Sequence, residues 1–326
     1  MRTKANLVHQ PGPYTNFSFE EITIPDPGPD EVLIKHKVIG VNFIDLYFRS
    51  GLYPWPGKMP IIPGAEAAAE VVEAGSDVKN LIPGDRVSYT GGNGAYCQHR
   101  IIKADQLVKL PDSLSDEVAA ACMLKGLTAH YLLHGTFRVQ PGHTILFHAA
   151  AGGVGLIAGQ WANHLGATVI GTVGSAEKVE LAKVNGYHHV INYSEENFVD
   201  RVLDITDGAG VEVVYDSVGQ DTYPHSLKCI KRLGMWVPFG QSSGPIMNFE
   251  LKDLVAHGSL FTTRPTLFDY VATNEALQAA SDSLFKMLKD GHIKVTINQR
   301  YKLEEASLVH QLLESRKTKG STVLIP

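Results

Sequence analysis

The chain has 326 residues, of which 44% are hydrophobic and 19% charged, which is typical of a folded protein with enough core for two domains. Its formal net charge is −5 and its basic residues are scattered, which argues against nucleic acid as the main partner. Cys97, Cys122 and Cys229 lie far apart and form no Cys-x-x-Cys pair, so the sequence predicts neither a disulfide framework nor a structural zinc site.

The first six residues, MRTKAN, lack the apolar stretch of a signal peptide. Together with the cysteine pattern, this favours a reducing compartment, and we expect the cytoplasm. Residues 142–176 contain no Asp, Glu, Lys or Arg, which a hydropathy scan could mistake for a membrane span. Their glycines and histidines instead indicate a strand, a turn, a helix and a strand buried inside a parallel sheet.

The N-terminal part, up to about residue 125, contains short β segments separated by proline and glycine turns. Strands are predicted at 32–35, 67–72 and 86–89, with turn signals at 25–29, 54–57 and 83–85. This pattern predicts a partly open β-barrel.

From about residue 127 the pattern alternates between strand and helix. Six alternating strands predict an α/β fold with a doubly wound Rossmann sheet. A helix at 274–289 follows Pro265, with strands near 293–297 and at 321–325. We therefore expect one domain at 1–126 and 266–326 and a Rossmann domain at 127–265. The six strands are predicted at 144–148, 168–173, 189–193, 211–215, 234–239 and 258–262.

A dinucleotide-binding turn is predicted at 148–155 (HAAAGGVG), between the first of these strands and its helix. Gly152 lets the backbone approach a pyrophosphate, and Gly155 lets the helix pack close to the strand. The free amides of the helix N-terminus, Gly153 and Val154 among them, favour an anion. Ala150 replaces the first glycine of the G-x-G-x-x-G pattern, so the prediction depends on the order of strand, turn and helix.

The next strand ends in Gly174-Ser175-Ala176, where NAD-preferring folds usually place an acidic residue. Ser175 can donate a hydrogen bond to a phosphate, and Lys178 can supply positive charge. We therefore predict NADP(H) rather than NAD(H), although Lys178 could equally be an ordinary solvated lysine.

The chain resembles the medium-chain dehydrogenase/reductase family over its whole length, most closely the quinone oxidoreductase branch that includes zeta-crystallin. For the first half, this resemblance implies a GroES-like catalytic domain. The bacterial members are NADPH-dependent quinone reductases, and that activity is our first hypothesis. The segments that carry the resemblance are 40–45 (GVNFID), 49–54 (RSGLYP), 124–129 (LKGLTA), 148–155 and 215–219 (YDSVG).

Zinc-dependent relatives hold their metal with residues that this chain lacks. Asn42 and Leu124 occupy positions where those enzymes have cysteines, and Ala65 replaces the histidine that precedes Glu66. Glu66 alone cannot hold zinc, which takes about four ligands. We expect no metal, and hydride transfer without a Lewis acid suits an electron-poor acceptor such as a quinone.

By the same resemblance, Asn42 and Asp45 position cofactor and substrate, and Tyr53 is a candidate hydrogen-bond donor to the reduced oxygen. Two simpler interpretations remain open. Tyr53 could only pack on neighbouring side chains, and Asp45 could be the N-cap of a helix beginning at Leu46.

The resemblance implies further contacts with the cofactor. Thr128 and Tyr131 would open the first helix of the cofactor domain, and Tyr193 and Arg316 would approach the adenosine phosphate. Tyr193 could instead be a core or edge aromatic, and Arg316 a surface cation. The full set of implied cofactor contacts comprises Asn42, Phe43, Asp45, Leu46, Thr128, Tyr131, Gly152, Gly153, Val154, Gly174, Ser175, Lys178, Tyr193, Ser217, Phe239, Gly240, Gln241, Ser242, Ser243, Phe261, Thr262, Thr263 and Arg316.

Two other functions remain possible on the sequence. One is reduction of activated alkenes such as enals and enones, which also suits a metal-free apolar pocket. The other is a low-turnover NADPH-binding or RNA-binding role of the crystallin kind. We expect a homodimer formed through the edge strand at 259–263, because an unpaired apolar edge invites pairing with a second copy.

Overall fold

The structure is a computed structural model that describes residues 1–55, 57–315 and 317–326. The chain divides into two compact units: unit 1 comprises Met1–Lys125, Ala272–Phe285 and Val295–Pro326, and unit 2 comprises Gly126–Val271 and Lys286–Lys294. The boundaries expected from sequence differ, because they assign residues 126, 266–271 and 286–294 to the other domain.

The described residues form fifteen β-strands. In sequence they are β1 (Arg2–Val8), β2 (Phe17–Thr23), β3 (Glu31–Gly40), β4 (Glu66–Ala74), β5 (Arg86–Thr90), β6 (His99–Lys103), β7 (Val108–Lys109), β8 (Thr144–Phe147), β9 (Thr168–Val173), β10 (His189–Asn192), β11 (Val211–Asp216), β12 (Ile230–Pro238), β13 (Phe261–Thr262), β14 (Ile297–Lys302) and β15 (Ser321–Ile325).

The α-helices include two whose starts differ from expectation. One begins at Phe43 rather than Leu46. Another begins at Asp116, so Thr128 lies near its end, and Tyr131 is the first residue of a short π-helical segment, Tyr131–Thr136, that continues it. In sequence the helices are α1 (Phe43–Ser50), α2 (Asp116–His130), α3 (Gly153–His164), α4 (Val179–Lys183), α5 (Phe198–Ile205), α6 (His225–Lys228), α7 (Leu251–Ala256), α8 (Leu267–Tyr270), α9 (Asn274–Lys289) and α10 (Ala306–Glu314).

Unit 1 contains a sheet with the strand order β14-β15-β3-β4-β5-β7, and β6 also pairs with β3. Neighbouring strands are antiparallel except β14 and β15, and the described path does not close on itself. Buried side chains such as Ile34, Val87 and Leu324 fill its core. The prediction of a partly open barrel is confirmed.

Unit 2 contains a parallel sheet with the order β10-β9-β8-β11-β12-β13. The central strands β8 and β11 are almost wholly buried, which explains their apolar runs at 145–147 and 213–215. The prediction of a doubly wound Rossmann sheet is confirmed. The charge-free segment forms β8, the glycine turn, α3 and β9, and within the described chain no helix has the length and hydropathy needed to cross a bilayer.

Several strand bounds differ from the sequence prediction: β3 extends to Gly40, β12 begins at Ile230 rather than 234, and two further strands are shortened or displaced. The edge strand expected at 258–262 is only Phe261–Thr262, because Gly258 and Ser259 have positive φ angles of 102° and 56° that interrupt extended backbone. The strand expected near 293–297 begins at Ile297. The amides of His292 and Ile293 donate to the carbonyl of Met287, so this segment closes the end of α9 instead.

Candidate active site

The glycine turn of unit 2 presents free amides at the start of α3. Gly152 is the N-cap residue, and α3 begins at Gly153. A Cβ added at Gly155 would lie 2.5 Å from the carbonyl oxygen of Ala149, so only glycine lets the helix approach this close. The amides of Gly153 and Val154 belong to the first turn, which has no acceptors within the helix. This geometry suits a pyrophosphate.

The end of β9 carries the residues expected at an adenosine phosphate. A Cβ added at Gly174 would lie 2.6 Å from the hydroxyl oxygen of Tyr193, so the structure brings these two residues together. The Ser175 Oγ is buried and has no hydrogen-bond partner among the described residues. Lys178 lies one turn on, where its amide donates to the carbonyl of Ser175 at 3.1 Å. A buried hydroxyl without a partner, beside a glycine and a lysine, fits a phosphate.

A buried polar network lies beneath the glycine turn, and sequence reasoning missed it. His148 lies within hydrogen-bond distance of Thr172 Oγ1 through Nδ1 (2.8 Å) and of Ser226 Oγ through Nε2 (3.0 Å). The Ser226 hydroxyl in turn donates to Asp216. These residue types also occur in hydrolase triads, but here serine lies between aspartate and histidine, and all are buried. Burial lowers the pKa of His148, so the network supports the turn with a neutral imidazole.

The loops after β11 and β12 meet at the carboxyl end of the sheet. The amides of Ser242 and Ser243 donate to the carbonyls of Ser217 and Val218. A Cβ added at Gly240 would lie 2.7 Å from the carbonyl oxygen of Ser217, so this close approach requires glycine. Gln241 lies in the same loop, and Phe239 packs against Phe147 at the end of β8 with ring centroids 5.6 Å apart.

Of the remaining residues expected to contact the cofactor in unit 2, some are buried and others lie at the edge of the sheet. Thr128 is buried in the last turn of α2. Tyr131 is also buried, and its ring stacks on that of Tyr270 at 4.5 Å, so packing accounts for it. Phe261 and Thr262 form the edge strand β13, with Thr263 directly after it. Arg316 lies outside the described residues.

In unit 1, the start of α1 brings together Asn42, Phe43, Asp45 and Leu46. Asn42 is the N-cap residue, and its backbone amide donates to Oδ2 of Asp45 at 2.9 Å. Asp45 is therefore the third helical residue of a capping arrangement and does not precede the helix. Phe43 and Leu46 pack against the core of the unit.

Asp45 lies inside a buried polar cluster. Its Oδ2 accepts from the Tyr96 hydroxyl at 3.0 Å, and the Tyr96 oxygen lies 3.1 Å from Nε2 of His310. Burial raises the pKa of Asp45 to about 7, although hydrogen bonds from Asn42 and Tyr96 oppose the shift. Burial also lowers the pKa of His310 to about 3, so this imidazole is neutral. Because the Tyr96 hydroxyl already donates to Asp45, Nε2 of His310 is the donor to the Tyr96 oxygen.

Next to this cluster, Glu66 is fully buried and accepts three hydrogen bonds. Asn42 Nδ2 donates to its Oε1 at 2.9 Å, Lys125 Nζ donates to the same oxygen at 2.5 Å, and the Leu124 amide donates to Oε2 at 2.6 Å. Gly40 makes room, because a Cβ there would lie 2.3 Å from Oε1. Sequence reasoning assigned no role to Lys125, although it is the lone lysine in the apolar run of α2.

Tyr53 follows α1 and lies among aromatic side chains. Its ring centroid is 5.2 Å from that of Tyr47 and 5.7 Å from that of Phe48, and its backbone amide donates to the carbonyl of Tyr47. These contacts support the packing interpretation, while the half-buried ring leaves the donor interpretation open.

No group of three or more His, Cys, Asp or Glu side chains within the described residues is arranged to hold a metal ion. The sequence-based argument against a metal overlooked one spacing, His130 and His134, which lie one helical turn apart. Their rings pack with each other and against Trp161, with centroids 4.9 to 5.5 Å apart. Burial lowers both pKa values, so these are packing histidines.

Comparison with known proteins matches both units. Residues 28–112 match the alcohol dehydrogenase GroES-like domain model, and residues 153–286 match the zinc-binding dehydrogenase model. A quinone oxidoreductase of Pseudomonas aeruginosa is 52% identical over 302 residues, which cover 92% of this chain and 93% of that protein.

Two further relatives are informative. A 2-haloacrylate reductase of a Burkholderia species is 45% identical over 99% of this chain and 98% of its own. The crystal structure of Escherichia coli quinone oxidoreductase complexed with NADPH superposes with a TM-score of 0.97 at 48% identity, covering 99% of this chain and all of that one.

Proposed function

The chain belongs to the medium-chain dehydrogenase/reductase family, and we propose that it is an NADPH-dependent quinone reductase of that family. The observation that supports a quinone as the electron acceptor is the similarity to quinone oxidoreductases, at 52% identity over most of the chain. The buried Ser175 hydroxyl beside Gly174, with no carboxylate at the end of β9, supports NADPH as the reductant.

The chain's own residues have separate tasks in this proposal. The amides of Gly153 and Val154 bind the pyrophosphate beside Gly152, whose own amide donates to the carbonyl of Ala149, and Ser175 and Lys178 bind the adenosine phosphate. When bound, the nicotinamide supplies a hydride to the acceptor. In unit 1, Asn42 and Asp45 position cofactor and substrate at the start of α1, and Tyr53 donates a hydrogen bond to the acceptor oxygen.

Hydride transfer to a quinone requires no Lewis acid, because the acceptor is already electron-poor. In this chain Asn42, Glu66 and Lys125 form a hydrogen-bonded cluster of an amide, a carboxylate and an ammonium. Metal-independent catalysis therefore remains our prediction.

Reduction of activated alkenes is the second candidate, favoured by the 2-haloacrylate reductase relative. The test is steady-state oxidation of NADPH with a panel of quinones and a matched panel of enals, enones and 2-haloacrylates. Quinones should have the higher kcat/KM. Higher values for alkenes would replace the first proposal by the second, and no turnover with either panel would favour a binding role of the crystallin type.

We also propose that the protein forms a homodimer through unit 2. Apolar side chains near the sheet edge are exposed: Phe261 on β13 is 58% exposed, and Leu251 and Val255 on α7 are 74% and 72% exposed. A two-residue edge strand beside an apolar helix surface suits pairing with a second copy. We propose the cytoplasm as its location, because the three cysteines are free and buried.

A further inference from the structure

The ion pair between Lys125 and Glu66 is asymmetric in its burial. The Glu66 side chain is 0% exposed, whereas 6% of the Lys125 side chain remains exposed. Glu66 already accepts hydrogen bonds from Lys125, Asn42 and the Leu124 amide. The exposed part of the pair therefore belongs to the Lys125 side chain.

The hydrogen-bond inventory of Lys125 is incomplete. An ammonium group has three N–H donors. Within the part of the chain that the structure describes, Lys125 has one acceptor, Oε1 of Glu66. An almost buried cation that keeps two donors without protein acceptors is costly unless another acceptor binds there.

The position of Lys125 relates it to the proposed chemistry. Lys125 and Asn42 donate to the same oxygen of Glu66, so the ammonium group lies next to the amide that the proposed function places at the cofactor and substrate. Asn42 is also only slightly exposed. A positive charge beside a reacting group, with little water around it, acts strongly on developing negative charge.

We propose that Lys125 is a catalytic residue whose ammonium group donates a hydrogen bond to the acceptor oxygen on which negative charge develops. This inference rests on the proposed function. Hydride, a proton with two electrons, passes from NADPH to the quinone, which gives NADP⁺ and a hydroquinone anion. A proton from water completes the hydroquinone. Lys125 keeps its protons throughout, and Glu66 holds the ammonium group in place.

The competing explanation is that Lys125 only neutralises Glu66. The decisive variant is the double substitution Lys125→Met with Glu66→Gln, which removes both charges and keeps similar side-chain lengths. The single variant Lys125→Met leaves a buried carboxylate unpaired and should unfold more easily. We expect the double variant to recover the unfolding midpoint and NADPH affinity of the parent, while kcat with one small quinone stays about a hundredfold lower.

Lys125→Arg is the matched control, because it keeps the positive charge, and we expect its kcat to stay within about tenfold of the parent. A double variant that recovers both stability and kcat would overturn the proposal. If the double variant does not fold, a loss of kcat of a hundredfold or more in folded Lys125→Arg would also overturn it. If the parent protein reduces no quinone, the proposed function fails, and the role of Lys125 fails with it.

Binding of 4-nitrophenol gives a readout that does not depend on turnover. Its ionised form absorbs visible light and carries its charge on a phenolic oxygen, as the hydroquinone anion does. Titrated with NADP⁺ present, the parent protein should favour the ionised probe at least tenfold more than the double variant. Equal ionisation of the bound probe in the two proteins would contradict a cation at the acceptor oxygen.

Discussion

The hydroxyl of Tyr96 donates a hydrogen bond of 3.0 Å to Oδ2 of Asp45, and both side chains are fully buried. The two residues are 51 positions apart in sequence. Their contact ties the start of α1 to the segment that contains Tyr96, and it places an ionisable carboxyl where water does not reach. The protonation of Asp45 is therefore linked to folding.

The first prediction concerns the effect of pH on stability. Burial raises the pKa of Asp45 from 3.8 to about 7, so the folded state takes up a proton between these values. The contribution of Asp45 to stability is fully present below about pH 4 and is lost as pH rises through 7. Relative to Asp45→Asn, the parent should lose about 1.4 kcal/mol of unfolding free energy per pH unit across that interval. Denaturant unfolding of both proteins from pH 4 to 9 measures the two unfolding free energies. A difference between them that does not change with pH would contradict the prediction.

The second prediction is that the protein binds NADPH more tightly than NADH, because we expect Ser175 and Lys178 to contact a phosphate that NADH lacks. Loss of the charged contact in Lys178→Ala should cost on the order of 1.5–3 kcal/mol, roughly ten- to more than a hundredfold in affinity for NADPH. Affinity for NADH should not change. Fluorescence titration measures both, with Lys183→Ala, an exposed lysine on α4, as the control. Tighter binding of NADH by the parent would refute the assignment.

The third prediction is that turnover does not depend on zinc, because Asn42, Ala65 and Leu124 stand where zinc-dependent relatives have ligands. Purified protein should contain far less than one zinc per chain by elemental analysis. Incubation with a chelator should leave kcat unchanged. Stoichiometric zinc that is lost together with activity would show that ligands have been overlooked.

The fourth prediction assigns Tyr53 a supporting role. A quinone accepts electrons readily, and water can provide the proton, so loss of one phenolic donor should lower kcat/KM by about tenfold or less. The Tyr53→Phe variant keeps the ring contacts with Tyr47 and Phe48 and removes only the hydroxyl. The assay uses saturating NADPH and one small quinone. A thousandfold fall with normal NADPH affinity would make Tyr53 an obligatory acid.

The fifth prediction tests the homodimer. Phe261→Glu places a charge at the exposed edge strand, where pairing with a second copy would bury it without a partner. The parent should have the mass of a dimer in light scattering at micromolar concentration, and the variant should be a monomer. Val184→Glu is the control, because Val184 is 70% exposed at the end of α4. A monomeric parent would remove the proposal.

Local sequence was sufficient for much of the fold. The bounds of β9, α9 and β15 are those that the sequence predicts, because buried strands and amphipathic helices have characteristic periods along the chain. Errors occurred where local geometry departs from the pattern. The left-handed backbone at Ser259 shortens β13, and the capping role of Asn42 moves the start of α1 three residues earlier.

Some parts of the candidate site could likewise be predicted from local sequence, and others could not. The sequence by itself determined the glycine turn and the Gly174-Ser175 segment, because each lies within a few residues and depends on backbone conformation. Only the tertiary structure decided that Lys125, 59 positions from Glu66, would share its carboxylate with Asn42. Such a contact depends on how β3, β4 and α2 pack against one another. The periodicity of a sequence indicates which face of an element is buried, but it does not indicate which distant side chain that face contacts.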